Sequence, residues 1–428
     1  MNKDADAGLE QLVRQLLDRQ SESRSLDYKA PLTFGPTKAD KGEILKWLMA
    51  FANTRDGGYI LVGVQEAAGR FTPEGIDGNQ AASFDPTDIG NFAQNYCSVL
   101  PTVSSHRVTI DGADVMLLRV DEFADEPIVC TKDLHDASGK TWILRAGSIY
   151  VRTPDARCVA IDSGEAMRGF LDLAVQKRGD ALLHQIRKLV GTSKIIDPGK
   201  LPDAYTPELE SASELFSREK VDSPYWYVEV IPSDYDPKLV PSNSRLKEIR
   251  RESAVSIRGW DFPHIDREYD RAFESGIESV THWARYHEAH RFYRSGLFTW
   301  RRQLSEDSTE QYQGSISYVS AIYSLTEFFI FANRYAPLVA PEGEFSIRVG
   351  VTGLSGRVLR SDPGVFFEDF TTGAKSFEKI FRLPVEEVRA SHLELANESA
   401  RQLFELYGLD ISREVIEDWQ KRFVERRF

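Results

Sequence analysis

The sequence predicts a mixed α/β protein, an N-terminal domain of antiparallel and buried strands with inserted helices followed by a second α/β domain. Three observations predict it. Apolar residues recur at helical spacing in some segments and alternate or run continuously in others. Turn dipeptides such as Asp111-Gly112 separate paired strand-like runs. A stretch rich in Gly, Pro, Ser, Thr and Asp at 191–207 divides two segments each long enough for its own core. The expected boundaries are a first domain at 1–190, a linker at 191–207 and a C-terminal domain at 208–428.

The elements follow in order. Leu9, Leu12, Leu16 and Leu17 share one face, which predicts an amphipathic helix over 8–20. Residues 25–30 alternate, Leu26 and Tyr28 against Asp27 and Lys29, as in a short strand. Ile44, Leu45, Leu48 and Phe51 predict a helix over 38–55, ended by Gly57-Gly58. Residues 59–64, YILVGV, read as one buried strand. A loop at 71–78 leads to a helix near 86–99, with Pro86 and Asp88 in its first turn. Strands at 105–110 and 114–120 form a hairpin, 127–130 is extended, and 141–144 with 148–152 predict a hairpin around Ala146-Gly147. A helix over 160–190 closes the domain. In the second half, strands are expected at 225–232, 253–259, 291–299 and 345–352, and helices at 316–335, 385–407 and 413–423. No repeat or low-complexity tract interrupts the chain.

The 428 residues are 41% hydrophobic and 28% charged, as expected of a globular protein, with a net charge of −13. Phosphate neutralisation dominates most nucleic-acid binding. The first 160 residues are acidic too, so any nucleic-acid site must be a local basic patch or be bridged by metal. No apolar run is long enough for a membrane span, and the N-terminus lacks the apolar core of a secretory signal, so a cytoplasmic protein is expected. Cys97, Cys130 and Cys158 are far apart and read as reduced structural thiols.

Two segments carry the candidate chemistry, ESRSLDYK at 22–29 and AFANTRDGGYILVGVQE at 50–66. On a strand Asp27 and Lys29 face the same way, Glu22 lies at the corner before them, and Glu66 ends the neighbouring strand. Glu22, Asp27 and Glu66 are the candidate ligands of Mg²⁺ or Mn²⁺, since hard cations take carboxylate oxygens. Lys29 is the candidate stabiliser of developing negative charge. The plainer reading of the same spacing is a set of surface acids with Lys29 as ion-pair partner.

These segments, with RAGSIYVR at 145–152, resemble the Schlafen-type AlbA-like domain over roughly 8–175. The resemblance implies that Glu22 and Asp27 are the first two family acids and Lys29 the family lysine. Asp27 stands where the family often has Glu. Gln65-Glu66 stands where acidic pairs are common, so Glu66 is the implied third acid, with a one-residue slip left open. The family includes metal-dependent endoribonucleases of transfer and ribosomal RNA, and bacterial members described as DNA-binding regulators. The expected function is therefore a metal-dependent endoribonuclease cutting structured RNA, most simply transfer RNA, in defence against phage. The C-terminal domain would sense an unknown phage trigger. The alternative is a DNA-binding regulator with a C-terminal ligand sensor. Only one match lies in the chain, so a homodimer is expected to supply a second lobe.

Other motifs are weaker. No phosphate-binding GxxxxGK[ST] loop exists, and GVTGLSG at 350–356 has the wrong spacing for a dinucleotide site. His282, His287 and His290 read as packing or hydrogen-bonding residues more readily than as metal ligands. The basic run at 245–251, Arg301-Arg302 and the aromatic turn around Trp260 read as a solvated helix face and buried rings, with nucleic-acid contact as the alternative. Arg145, Arg152 and Arg157 flank the late hairpin, and the resemblance implies that basic residues there touch RNA.

Overall fold

The computed structural model describes residues 3–425 except 68, 125, 165, 176, 178–200, 222–223, 266–268, 284–285, 309 and 361–369. The chain forms two units, one of residues 1–181 with 256–260, the other of 182–255 with 261–427. Most of the expected linker, and the end of the helix expected over 160–190, lie outside the described residues; the helix is present where described between 164 and 177.

In the first unit, helix α1 (Lys3–Asp18) precedes strand β1 (Leu26–Lys29), and α2 (Lys38–Ala52) precedes β2 (Gly58–Val62). Thr37 and Asp40 form a reciprocal capping box that starts α2. Strands β5 (Val103–Ile110) and β6 (Ala113–Val120) are the hairpin expected at Asp111-Gly112. The sheet order is β1-β2-β6-β5, with β1 parallel to β2 and the other pairs antiparallel. Alternation gives this sheet two buried faces. Leu26, Tyr28, Tyr59, Leu61, Val115 and Leu117 pack with α1. Ile60, Val62, Met116 and Leu118 pack with Leu45, Leu48 and Phe51 of α2.

Several local expectations are corrected. The run YILVGV is two strands, β2 and β3 (Val64–Ala67), broken at Gly63, whose φ is +96°. Strand β3 pairs with β4 (Arg70–Pro73), within the segment expected to be loop. The late strands do not pair with each other. Instead β7 (Leu134–His135) pairs with β8 (Trp142–Leu144), and β9 (Tyr150–Arg152) pairs with β10 (Cys158–Ala160). The helix expected near 86–99 ends at Ala93, and the backbone of Cys97 forms an isolated antiparallel β-bridge with that of Cys130, both thiols remaining free.

The second unit is built on a seven-stranded antiparallel sheet in the order β12 (Asp270–Phe273), β13 (Gly276–Trp283), β14 (Tyr286–Tyr293), β15 (Phe298–Gln303), β11 (Tyr225–Pro232), β16 (Glu344–Thr352), β17 (Ser376–Pro384). The helix Tyr318–Val339 is buried along most of its length, and Val385–Glu405 and Arg413–Val424 are helices as expected. The strand expected at 291–299 is two strands joined at Gly296, whose φ is +81° and where a Cβ would meet Val339 and Pro232. The strand expected at 253–259 is corrected too. A helix, Asn243–Ser253, capped by Ser242, fills the basic run and ends there. His282 and His287 face each other across β13 and β14 with Nδ1 atoms 3.2 Å apart, while His290 is buried farther along β14.

Candidate functional site

The AFANT and GG segments have a mechanical role in this fold. Asn53 Nδ2 donates to the carbonyls of Ile128 at 2.7 Å and Tyr150 at 3.1 Å, and its Oδ1 accepts from Ile128 N at 2.9 Å. Thr54 Oγ1 accepts from Arg152 N at 3.2 Å. These bonds staple the segment 128–152 to the C-terminal end of α2. Gly57 has a φ of +59°, and a Cβ there would lie 2.1 Å from Val120 O. A Cβ on Gly58 would strike the Phe51 ring and Ser25 O. Only glycine lets β2 start this close to α2.

The stapling delivers Arg152 to Asp27. Asp27 is 2% exposed, and its two oxygens are claimed separately. Arg152 Nη1 donates to Oδ2 at 3.0 Å and Lys29 Nζ lies 2.5 Å from Oδ1. Arg152 Nη2 also donates to the carbonyls of Ser23 at 2.8 Å and Leu26 at 3.1 Å, and its guanidinium lies 4.6 Å over the Phe51 ring. One buried fork thus ties the corner before β1, the strand itself and α2. Lys29 is half-buried, with Nζ 5.0 Å from the Trp47 ring centroid.

Glu22 joins this group from the corner. Its Oε1 accepts from Tyr28 N at 3.3 Å. Burial, then the hydrogen bond and charge of Asp27, push the Glu22 carboxyl up to about 7, against a smaller opposing pull from Lys29. A carboxyl that holds its proton into the neutral range, at a half-buried position, has the properties of an acid–base group.

Glu66 is placed elsewhere. It is exposed on β3, directly opposite Phe71 on β4. Directly opposed residues share a face, and the Phe71 ring stacks on Tyr28 with centroids 4.3 Å apart. Tyr28 and Asp27 point to opposite sides of β1. The Glu66 side chain therefore lies on the α1 side and Asp27 on the α2 side. Among the described residues no three His, Cys, Asp or Glu side chains are grouped to hold a metal ion. As arranged, Glu22, Asp27 and Glu66 do not fit Mg²⁺ or Mn²⁺. Asp27 has both oxygens engaged by cations, and Glu66 faces away.

Arg152 is the site residue whose role the sequence leaves unassigned. Its signal is there as the last residue of RAGSIYVR, but a terminal arginine of a short strand does not announce that it is buried.

The profile of the Schlafen, AlbA_2 family matches residues 22–155. No curated protein matches the chain. Among solved structures, the crystal structure of the DIP2311 protein from Corynebacterium diphtheriae is 18% identical, with a TM-score of 0.23. That match covers 50% of this chain and 36% of the Corynebacterium chain, so only about a third of that protein's length is spanned. The solution structure of the N-terminal domain of an ATP-dependent DNA helicase RecG-related protein from Nitrosomonas europaea is 22% identical, with a TM-score of 0.22. It covers 35% of this chain and 94% of that domain. No helix among the described residues is long and apolar enough to cross a membrane.

Proposed function

We propose, from the premise that residues 22–155 are a Schlafen AlbA_2 domain, that this domain is an endoribonuclease core whose acid–base group is the Glu22 carboxyl. The observation that carries the reading is the placement of the half-buried Glu22 carboxyl, held by Tyr28 N, at the corner before buried Asp27, whose Oδ1 meets the Lys29 ammonium. RNA carries its own nucleophile, which suits a site whose carboxylates do not gather around a metal. Ionised Glu22 takes the proton of a ribose 2′-hydroxyl. The 2′-oxygen attacks the adjacent phosphorus, the bond to the 5′-oxygen breaks, and that oxygen takes a proton from water. The products are a 2′,3′-cyclic phosphate and a 5′-hydroxyl. Lys29 offsets the charge that builds on the phosphorane oxygens. Asp27 and Arg152 hold Glu22 and Lys29 in place.

Transfer RNA is the first substrate to test, and a homodimer supplying a second lobe is part of the proposal. So is a role in phage defence with the C-terminal domain as sensor, read by plaque counts on cells carrying wild-type or Glu22→Gln protein. The biochemical test incubates the full chain with total transfer RNA, with EDTA or with Mn²⁺, alongside Glu22→Gln, and analyses the end groups. Cleavage that persists in EDTA, leaves cyclic phosphate and disappears in Glu22→Gln supports the reading. Cleavage that needs Mn²⁺ and stops in EDTA would restore a metal mechanism. No cleavage together with tight duplex-DNA binding would favour a regulator.

A further inference from the structure

We propose that the β7–β8 hairpin is a docking platform on which an unstacked base of single-stranded RNA lies against Trp142, with the flanking phosphates met by Lys132, Lys140 and Arg145. Trp142 is 49% exposed, unusual for the largest apolar side chain. It is directly paired with His135 across the hairpin, and the two rings lie 3.9 Å apart at 39°. The histidine covers part of the indole, and about half of the residue stays exposed to solvent. Such a ring binds any base by its π-face.

The cations are arranged along the same hairpin. Lys132 and Arg145 stand at its base, where Asp133 Oδ1 accepts from Ala146 N at 2.7 Å. Lys140 stands in the turn, where Asp136 N donates to Thr141 O at 2.9 Å. All three are exposed, and among the described residues none has a carboxylate partner; Lys132 lies 6.0 Å over the Tyr96 ring. The hairpin's own acids are occupied as backbone acceptors. Asp133 caps Ala146 N, and Asp136 takes the Ser138 hydroxyl and the amides of Lys140 and Thr141. In a chain of net charge −13, a hairpin carrying three cations against two acids beside a half-exposed indole is a local complement to a polyanion that carries aromatic rings. Duplex RNA hides its base faces, so the exposed ring selects a single strand.

The polymer assignment to RNA rests on the proposed function; the platform itself rests on the hairpin. The test measures fluorescence anisotropy of a labelled 12-nucleotide single-stranded RNA with the full-length protein, against the duplex RNA and the DNA of the same sequence. Trp142→Ala is expected to weaken single-strand binding about 10-fold, and Trp142→Phe by much less, because a ring remains. Lys140→Ala with Arg145→Ala is expected to weaken binding and flatten its salt dependence. Thermal melts of each variant matching the wild type exclude unfolding as the cause. Wild-type-like binding by Trp142→Ala, equal binding to duplex RNA, or no binding by the wild type each overturns the platform, and tighter binding to DNA overturns its assignment to RNA. Glu22→Gln separates the two readings, since it is expected to abolish cleavage and leave this binding intact.

Discussion

Arg152 and Asp27, 125 positions apart in sequence, form a buried ion pair at 3.0 Å in which both side chains are almost wholly removed from water. The guanidinium also donates from Nη2 to the carbonyls of Ser23 and Leu26. The pair therefore does more than balance charge. It sets the path of the chain through the corner that carries Glu22.

Breaking this pair leaves a buried carboxylate facing only Lys29. Arg152→Ala is expected to cost about 3–5 kcal/mol of stability, measured by denaturant unfolding. Arg152→Lys is expected to recover little of it, because an ammonium cannot reach Asp27 and two carbonyls in one plane. Unfolding within about 1 kcal/mol of wild type in Arg152→Ala would contradict the fork.

Glu22 makes stability depend on pH in a defined direction. Its folded value of about 7 lies above its ordinary 4.5, so the folded state binds the proton more tightly. The stabilisation is full below the ordinary value and is lost as pH rises through about 7. The melting temperature of the wild type is expected to fall between pH 5 and pH 8 relative to Glu22→Gln. Parallel profiles for the two proteins would contradict the raised Glu22 carboxyl.

Gly57 tests the backbone geometry. With φ at +59° and Val120 O only 2.1 Å from where a methyl group would stand, Gly57→Ala is expected to lose at least about 1–3 kcal/mol from strain alone. Gly69 has a φ of +73° with open space around it, so Gly69→Ala is expected to lose less. The comparison of the two melts separates steric clash from φ strain.

The thiols should be slow. Burial, with the neighbouring Cys130, pushes Cys97 up to about 12, and burial also raises Cys130 and Cys158. Thiolate is scarce in all three at pH 8. Colorimetric thiol labelling of the native protein is expected to proceed far more slowly than in denaturant, where three thiols react. A fast native phase would show that one cysteine is more open than its burial implies.

Much of the architecture is legible in the chain itself. Helices at 38–55, 385–407 and 413–423 are readable because periodic apolar positions are a local signal, and the observed elements are Lys38–Ala52, Val385–Glu405 and Arg413–Val424. The hairpin at Asp111-Gly112 is readable for the same reason. The division of YILVGV at Gly63 and of 291–299 at Gly296 is not, because a single glycine in an apolar run is as compatible with a strand as with a break. The partners of β7, β8, β9 and β10 escape sequence reasoning because adjacency in sequence is only a default for pairing. Here Asn53 and Thr54 anchor the late segment to α2 instead.

By itself the sequence determined which residues could do chemistry, Glu22, Asp27, Lys29 and Glu66, and the domain in which they sit. Alternation within one strand is a property of covalent geometry, so the shared face of Asp27 and Lys29 follows from their spacing alone. Only the tertiary structure decided which of the four meet. A strand has two faces, and which face a neighbouring hairpin presents depends on long-range pairing that no local pattern encodes. That pairing puts Glu66 beside Phe71 on the α1 side, and brings Arg152 to Asp27 on the other. The group that the fold assembles is Glu22, Asp27, Lys29 and Arg152, with both cations on the Asp27 carboxylate and Glu22 beside it.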